Sequence, residues 1–356
     1  MSLISVVITV LIFCIIVIIH EGGHFAAARL SGVTVEEFAV GMGKKICSVT
    51  KGGVMYSVRC IPLGGFCRMA DNSDPETGVQ GVLDANVFKR IFICIAGPFM
   101  NFVIAIIVLS FINFSWSYTT TELSGVVEGY PAAEAGIQEG DRIVSINGKK
   151  VATYSELTYE ISKYQGQNLD VVIERDGEQL EFSFVLSADE EGAYKMGVMA
   201  QPKACFLSGA QDSLPETEFF EAVYCGWHDM FFLVKMTIVG LGQLFTAQVS
   251  MDDVAGPIGL TTVVGEVYSE SASQGFWVLV VNMLNITALL SANLGVMNLL
   301  PIPALDGGKI FVYLIEILRR KPIAPEKEGA INLIGFVLIM GFGLVVAFHD
   351  VFKIFS

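Results

Sequence analysis

Residues 3–28 read LISVVITVLIFCIIVIIHEGGHFAAA, the most informative part of the sequence. From Leu3 to Ile19 no residue is charged and nearly all are apolar. A membrane-spanning helix needs about 20 apolar residues, so this run spans a bilayer only if the helix also includes His20, Glu21 and His24. A secretory signal peptide is the alternative, because Ala26-Ala27-Ala28 resembles a cleavage site, but no basic residue precedes the run and it exceeds a normal signal core. We therefore expect a membrane helix that carries ionisable residues.

The composition of the whole chain agrees with a membrane protein. Of its 356 residues, 53% are hydrophobic and only 16% are charged, with a mean hydropathy of +0.59. A soluble protein carries about 25% charged residues, and a disordered chain is poor in hydrophobic residues. The net charge of −14 also argues against a basic surface for nucleic acid. These figures predict a membrane protein with a soluble part.

Three further apolar stretches are predicted to cross the membrane: Ile91–Phe114, Phe276–Leu300 and Ile331–Phe348. The stretch 230–245 is ambiguous, because it contains Lys235 and follows His228 and Asp229. Such a segment fits a membrane-lying or packed amphipathic helix better than a crossing. The predicted fold class is an α-helical membrane protein with four transmembrane helices, a membrane-associated β-hairpin loop and one α+β domain.

Basic residues near the span ends predict the orientation. The loop 31–90 carries seven Lys and Arg residues, and Arg319, Arg320, Lys321 and Lys327 lie between the third and fourth spans. By the positive-inside rule these two loops face the cytoplasm. The N- and C-termini and the long middle loop then lie outside the cytoplasm. Residues 116–224 hold 7 basic and 19 acidic residues, a balance of 7 − 19 = −12, which supplies most of the acidity of the chain.

The middle loop contains a pattern of short strands from Val126 to Leu186. Asn147-Gly148 and Asp176-Gly177 each lie between alternating apolar residues, which indicates two hairpins. A helix is predicted to start near Tyr154, with Ser155 as its N-cap. The run GDRIVSING at 140–148 resembles a PDZ domain, a class that binds extended peptides at a sheet edge. Peptide binding, steric filtering of substrates and a plain spacer all remain open.

The sharpest chemical feature is His20-Glu21-Gly22-Gly23-His24. On a helix, residues four apart share a face, so both imidazoles can reach one metal ion, and Glu21 beside them is placed to act as a general base. Two imidazoles are typical of a zinc site that activates water. Within an apolar span each ionisable group is costly, which favours function over a packed or snorkelling histidine pair.

A catalytic zinc site needs a third protein ligand, and Asp306 is the candidate. It follows Asn298-Leu299-Leu300-Pro301-Ile302-Pro303-Ala304-Leu305, a broken helix that is tolerated at membrane depth only where it is buried or lines a cavity. The alternative is that Asp306 caps the helix 307–318. The histidines and Asp306 meet on the cytoplasmic side only if 230–245 does not cross.

At these residues the sequence resembles the site-2 protease family of intramembrane zinc metalloproteases, and its bacterial regulators of sigma-E protease (RseP-like) in particular. The resemblance covers most of the chain, although Gly22 stands where the family commonly has a bulky residue and the PDZ-like module is single. Besides the metal motifs, it rests on GMGK (41–44), YSVR (56–59), IPLGGF (61–66), AGPxxN (96–101) and GPIG (256–259).

The resemblance implies roles for individual residues. His20, His24 and Asp306 would bind Zn²⁺, Glu21 would be the general base, and Asn298 would contact the substrate or the oxyanion. An extended substrate strand would pair with the hairpin edge formed by Pro62, Leu63, Gly64, Gly65 and Phe66.

The predicted function is therefore intramembrane hydrolysis of single-pass membrane proteins in the cell (inner) membrane. Anti-sigma factors or remnant signal peptides would be the substrates, and an upstream site-1 protease would be a partner. The alternatives are an inactive membrane PDZ scaffold, a zinc protease that cuts outside the bilayer and, less favoured, a transporter. The expected domains are 1–30, 31–90, 91–115, 116–200, 201–275, 276–318, 319–330 and 331–356.

The seven cysteines fit no zinc spacing, and most are expected to be inert reduced thiols. Cys47, Cys60 and Cys67 are the nearest to a cluster. Cys205 and Cys225 would pair only in an oxidising compartment.

Overall fold

The computed structural model describes residues 2–188, 192, 194–204, 218–246, 248 and 256–355. They form two compact units, one of Met1–Ala105 with Leu233–Ser356 and the other of Ile106–Phe232. The helices are α1 Leu3–Ser31, α2 Val87–Ser115, α3 Pro131–Ala135, α4 Tyr154–Ser162, α5 Phe219–Phe245, α6 Pro257–Gln274, α7 Phe276–Leu299, α8 Asp306–Arg319 and α9 Pro325–Phe355. The strands are β1 Val35–Lys51, β2 Val54–Met69, β3 Ser117–Val126, β4 Arg142–Ile146, β5 Lys149–Lys150, β6 Asn168–Arg175, β7 Glu178–Val185, β8 Ser187–Ala188, β9 Tyr194–Lys195 and β10 Val198–Ala204.

Four helices of the described chain are long and apolar enough to span a membrane: α1, α2, α7 and α9. They coincide with the four predicted spans. α2 and α9 extend beyond the apolar stretches, since helical hydrogen bonding continues through their polar flanks. The ambiguous stretch 230–245 is the second half of α5, which is not among these four.

α1 exposes apolar side chains and buries a face that contains polar as well as apolar residues. Its buried positions recur every three or four residues, which places them on one helical face. They are Ser5, Thr9, Ile12, Ile16, His20, Gly23, His24, Ala27 and Ala28. Its exposed side chains include Leu3, Leu11 and Ile15. This is the arrangement expected of a helix that turns its apolar face to lipid and packs its polar face against other helices.

α6 is a helix that was not expected from the sequence. Its N-terminus is held by the buried carboxylate of Asp350 from α9, which accepts the backbone N–H groups of Gly256 (3.2 Å), Ile258 (3.1 Å) and Gly259 (2.9 Å). Pro257 occupies the first helical position, where the missing N–H costs nothing. A carboxylate at a helix N-terminus is electrostatically favourable.

β1 and β2 pair antiparallel as one hairpin, with several register shifts. Residues 37–40 of β1 pair on one side with 55–58 of β2 and on the other with 65–68. The chain of β2 therefore wraps around β1, and its last segment, Gly65–Met69, lies at an edge of the sheet. No other strand of the described residues pairs with that edge.

The second unit contains a six-stranded antiparallel sheet in the order β10-β3-β4-β6-β7, with β5 beside β4. We call it, with α3 and α4, the β domain. The hairpin prediction at Asn147-Gly148 is confirmed by the pairing of Ile146 with Lys149, and that at Asp176-Gly177 by the pairing of Arg175 with Glu178. Its core is a single apolar cluster: Leu123, Ala132, Ile137, Ile143, Ile146, Val151, Leu157, Leu169, Val171, Ile173, Leu186 and Met196.

The N-cap prediction for α4 is wrong. Thr153, not Ser155, is the N-cap, and its hydroxyl accepts the backbone N–H of Glu156. The Glu156 carboxylate in turn accepts the N–H of Ala152 at 2.7 Å. This reciprocal arrangement satisfies two N–H groups that lack partners within the helix, which Ser155 in the first turn could not do.

A buried ion pair joins the turn before β4 to the end of β6. Arg175 donates from Nε and Nη2 to the two oxygens of Asp141 at 2.6 and 2.7 Å, and the backbone N–H of Gln138 donates to the same carboxylate. Burial by itself raises the pKa of Asp141, but these hydrogen bonds and the Arg175 charge outweigh it and hold the pKa below its usual range.

We expect Asp141→Asn to lower the free energy of local unfolding of the β domain by about 3 kcal/mol at pH 7, since it leaves Arg175 without its charge partner. Because the folded-state pKa is lowered, the stabilisation is complete above the unfolded value of about 3.9 and disappears as the pH falls through the folded value. Hydrogen exchange of the β4 and β6 amides measures this. Asp176→Asn, at an exposed turn position that suits Asn, is the matched control. Equal exchange in both variants would contradict the assignment.

The adjacent glycines of α1 have different surroundings. A Cβ added at Gly23 would lie 2.3 Å from the carbonyl oxygen of Ala96 in α2, whereas a Cβ at Gly22 would meet nothing within 4 Å. Gly23 therefore permits the close contact of α1 with α2. Gly22, where the site-2 protease resemblance leads one to expect a bulky residue, faces open space.

We expect Gly23→Ala to separate α1 from α2, with a lower melting temperature in detergent and a loss of bound zinc. Gly22→Ala should keep both, and should stabilise the helix by up to about 1 kcal/mol because alanine has the higher helix propensity. Thermal unfolding and zinc content of the purified variants are the measurements. A Gly23→Ala variant with unchanged melting temperature and zinc content would show that zinc binding does not depend on the contact of α1 with α2.

Candidate metal centre

The two histidines of α1 bring their Nε2 atoms close together. His20 and His24 lie one turn apart on the buried face, and their Nε2 atoms are 3.2 Å from each other. The neighbouring helix α2 makes room for both rings at Gly97, where an added Cβ would lie 2.4 Å from His24 Nε2 and 2.9 Å from His20 Cε1.

The far side of each ring is held by α2. His24 Nδ1 lies 2.8 Å from the carbonyl oxygen of Ile93, which can only accept, so Nδ1 carries the proton and Nε2 presents its lone pair to the site. His20 Nδ1 lies 3.2 Å from the side-chain amide of Asn101. Ile93, Gly97 and Asn101 are spaced four apart, so they share one face of α2.

The orientation of the Asn101 amide is decided by the lone pair that His20 must present to a metal ion. One end of this buried amide lacks a partner in either orientation: with the nitrogen toward His20 it is Oδ1, and after turning it is Nδ2. The two ends of an amide are assigned from the hydrogen-bond network. Turning the amide lets Oδ1 accept a proton from His20 Nδ1, and the lone pair of His20 Nε2 then faces the same point as that of His24. We adopt this orientation.

Asp306 completes the cluster from the other end of the chain. Its Oδ2 lies 3.2 Å from Nε2 of His20 and 3.2 Å from Nε2 of His24. Asp306 is the first residue of α8, and Leu305 is the N-cap, with no side-chain capping bond. The alternative that Asp306 merely caps this helix is therefore wrong.

Two glycines after Asp306 let the broken segment 300–305 fold tightly against the start of α8. A Cβ on Gly307 would lie 2.3 Å from the carbonyl oxygens of Leu299 and Leu300, and one on Gly308 would lie 2.3 Å from that of Ile302. Any larger residue would displace the turn that aims Asp306 at the histidines.

The three donor atoms fit a zinc ion. Zinc bonds to imidazole nitrogen and carboxylate oxygen are about 2.0–2.2 Å, so two such ligands in a tetrahedron lie about 3.4 Å apart. All three separations here are 3.2 Å. Among the described residues, this is the one group of three side chains that could hold a metal ion. Three protein ligands leave a fourth position open, as catalytic zinc sites require.

The cluster lies in a cavity of about 710 Å³. Glu21 and Asn298 line it together with the three ligands, as do Gly64, Gly65 and Phe66 from the hairpin. Asn298 is half-buried, and its amide has no hydrogen-bond partner among the described residues. A Cβ on Gly65 would lie 3.4 Å from Cγ of Glu21, so the sheet edge is directly beside the expected base.

The first two residues of the predicted substrate edge differ from the others. Pro62 is not among the residues that line the cavity. Its carbonyl oxygen accepts a hydrogen bond from the Cys14 thiol at 3.1 Å, which fixes the hairpin along α1. The side chain of Leu63 lies outside the described part of the chain.

None of the six described cysteines belongs to the metal cluster. Cys14, Cys47, Cys60, Cys67, Cys94 and Cys225 are free thiols. Cys205 lies outside the described residues, so its pairing with Cys225 stays a prediction.

Fold and site together define a membrane-embedded zinc metalloprotease, in which a His-Glu-x-x-His helix and a distant aspartate meet among helices long enough to span a bilayer. The chain belongs to peptidase family M50, the site-2 protease family, whose sequence model matches residues 8–342. This confirms the family suggested by the sequence motifs.

Curated relatives match over almost the whole chain. The zinc metalloprotease RasP of Oceanobacillus iheyensis is 30% identical, with 99% of each chain covered. RasP of Shouchella clausii is 29% identical, covering 97% of this chain and 98% of the relative. Among solved structures, the PDZ domain of an SdrC-like protein from Listeria innocua is 26% identical and covers 23% of this chain and 92% of its own, with a TM-score of 0.21.

The residues of α2 that hold the histidines had no role predicted from the sequence. Gly97 and Asn101 were noted only as part of AGPxxN. The available signal was a glycine and a polar side chain four residues apart inside an apolar span, which places both on one face.

We expect Asn101→Leu to lower zinc affinity about 10- to 100-fold, the usual effect of losing a hydrogen-bond partner of a metal-bound histidine. Asn101→Asp should retain affinity, since its carboxylate also accepts the proton of His20 Nδ1. Competition with a calibrated chelator measures this directly. Asn113→Leu, at a buried asparagine of the same helix that bonds Asp229 instead, is the control and should change affinity less than about twofold. An affinity loss of similar size in Asn113→Leu would remove the specific role of Asn101.

Proposed function

We propose that this zinc metalloprotease hydrolyses peptide bonds of single-pass membrane proteins at membrane depth, with anti-sigma factors or remnant signal peptides as substrates. The observation that carries the proposal is the position of the ligand cluster. His20 and His24 lie within α1, which is long and apolar enough to span the bilayer, and Asp306 approaches from the break that follows the span-length helix α7.

The roles of the residues follow from their positions in the cavity. His20, His24 and Asp306 would hold the zinc ion, which when bound supplies a Lewis acid and makes water acidic near neutral pH. Glu21 takes the proton from the attacking water and later delivers it to the leaving amine. The free amide of Asn298 donates a hydrogen bond to the carbonyl oxygen as negative charge develops there.

The hairpin can supply the backbone hydrogen bonds that a transmembrane substrate loses when it unwinds. The peptide bonds of a transmembrane helix are shielded by their own hydrogen bonds, and an unwound backbone in lipid would leave polar groups unsatisfied at a cost of several kcal/mol each. The unpaired edge at Gly65–Met69 offers replacement hydrogen bonds to an extended strand. It lies beside Glu21, so a strand bound there passes the catalytic groups.

We further propose that the β domain and both termini face the exterior, and that the active site faces the cytoplasmic side. The distribution of Lys and Arg around the spans supports this orientation. In that position the β domain, with its PDZ-like strand pattern, meets the outer part of a substrate first. It would bind or exclude substrates, so that cleavage follows only after an upstream protease has shortened them.

We expect Glu21→Gln to abolish cleavage of a membrane-embedded test substrate while zinc stays bound, because a neutral amide cannot accept the proton. Asp306→Asn should lower both zinc content and cleavage, because it removes a charged ligand. The measurements are zinc content and cleavage rate in reconstituted membranes, with the exposed Glu36→Gln as a control that keeps both. Residual cleavage near the wild-type rate in Glu21→Gln would refute the general-base role.

A further inference from the structure

The sheet edge next to Glu21 carries a distinctive pair of side chains. Phe66 and Arg68 are two residues apart on the edge segment Gly65–Met69, so they project to the same face of the sheet. Both line the cavity that contains the metal cluster. A substrate strand paired to this edge would place its own side chains next to these two.

The ring of Phe66 has two guanidinium groups near it. Arg59 lies 4.8 Å and Arg68 lies 5.4 Å from the ring centroid. Both distances are in the range of cation–π attraction. Phe66 therefore helps to hold the Arg68 guanidinium at the cavity wall, while its own surface stays apolar.

The charges of this cluster do not cancel. Glu37, with a side chain only 3% exposed, accepts a hydrogen bond from Arg59 at 2.7 Å and another from the Ser57 hydroxyl at 2.6 Å. Its distance to Arg68 is 3.9 Å, and the Arg68 side chain is 57% exposed. One carboxylate thus serves two guanidiniums and is bonded to Arg59, which leaves the charge of Arg68 largely uncompensated.

Other acidic groups of the cavity do not neutralise Arg68. Asp71 lies three residues further along the same wall, but among the described residues Arg68 forms an ion pair only with Glu37. Arg90, the neighbouring arginine of the cavity, is already paired with the buried Glu316 at 2.5 Å. Arg68 is therefore the guanidinium that a ligand in the cavity can reach.

We propose that Phe66 and Arg68 form a specificity subsite that binds an acidic side chain of the substrate strand close to an apolar one. The inference rests on the proposed function, because it needs a substrate strand at this edge. An aspartate or glutamate is costly in lipid, and Arg68 supplies the opposite charge when such a residue leaves the bilayer with the unwinding strand. The subsite thus favours substrates with an acidic residue near the cleaved bond.

The test uses the full-length protein in nanodiscs and a single-pass substrate in which Asp, Asn or Lys is placed at each position around the cleavage site. Binding is measured in the Glu21→Gln background, so that the substrate stays intact. We expect one position at which Asp binds about five- to tenfold more tightly than Lys. Arg68→Gln should remove this preference and Arg68→Glu should reverse it, as expected for a charge pair at the edge of an interface.

The control is Lys51→Glu, which makes the same charge change at an exposed position of the same hairpin outside the cavity. It should keep the preference for Asp. Equal zinc content in all variants shows that the hairpin changes do not act through the metal site. A preference that is the same in Arg68→Glu and the wild type, or one that Lys51→Glu also reverses, overturns the proposal.

Cleavage assays with Glu21 intact separate this inference from the proposed function. The same rank order is expected in KM, with kcat changed less than about twofold. Charge-dependent binding without any cleavage would refute the proposed function and leave the subsite standing. Cleavage with no position at which Asp and Lys differ would refute the subsite and leave the protease standing.

Discussion

The structure depends on three donor atoms, from residues 20, 24 and 306, meeting within 3.2 Å of one another inside an apolar part of the protein. Unpaired ionisable groups there would be strongly unfavourable, so the surrounding helices must supply partners for the ring nitrogens that do not face the metal position. α2 does this for the histidines through Ile93 and Asn101. Glycines, rather than larger residues, allow the close contacts that this demands.

The helices that carry the metal ligands and the hairpin that carries the sheet edge differ in how rigidly they are held. The ligands and Glu21 belong to helices, whose internal hydrogen bonds fix their positions without help from a substrate. The substrate edge belongs to a hairpin with several register shifts, which lies along α1 through Cys14 and at Gly65. An edge strand can accept a further strand, and the unpaired edge at Gly65–Met69 begins beside Glu21, since a Cβ on Gly65 would lie 3.4 Å from Cγ of Glu21.

The features predictable from sequence are those in which cause and effect are close together in the chain. The His-Glu-x-x-His spacing, the apolar spans and the two β domain hairpins are of this kind, since helical periodicity and turn residues act over a few positions. The capping of α4 was also local, but Thr153 with Glu156 satisfies two N–H groups where Ser155 satisfies none. The meeting of Asp306 with the histidines is a distant contact that was predicted, from the cost of an ionisable group at membrane depth and from the family resemblance. Other distant contacts were not predicted: α6 depends on Asp350, and the wrapping of β2 around β1 depends on register shifts that no periodicity reveals.

The charged side chains at and near the cavity differ in whether they already have an ion-pair partner. Arg90 and Glu316 neutralise each other, and Glu316 also accepts the backbone N–H of Ile323, so this pair stabilises the start of the segment before α9 and offers little to a ligand. Glu37 is likewise bonded to Ser57 and Arg59. Arg68, in contrast, has a side chain that is 57% exposed and lies 3.9 Å from Glu37, so its charge stays available to a ligand. The carboxylate and imidazoles of the cluster suit a cation, and the exposed guanidinium of Arg68 at the cavity wall suits an acidic side chain of the proposed substrate strand.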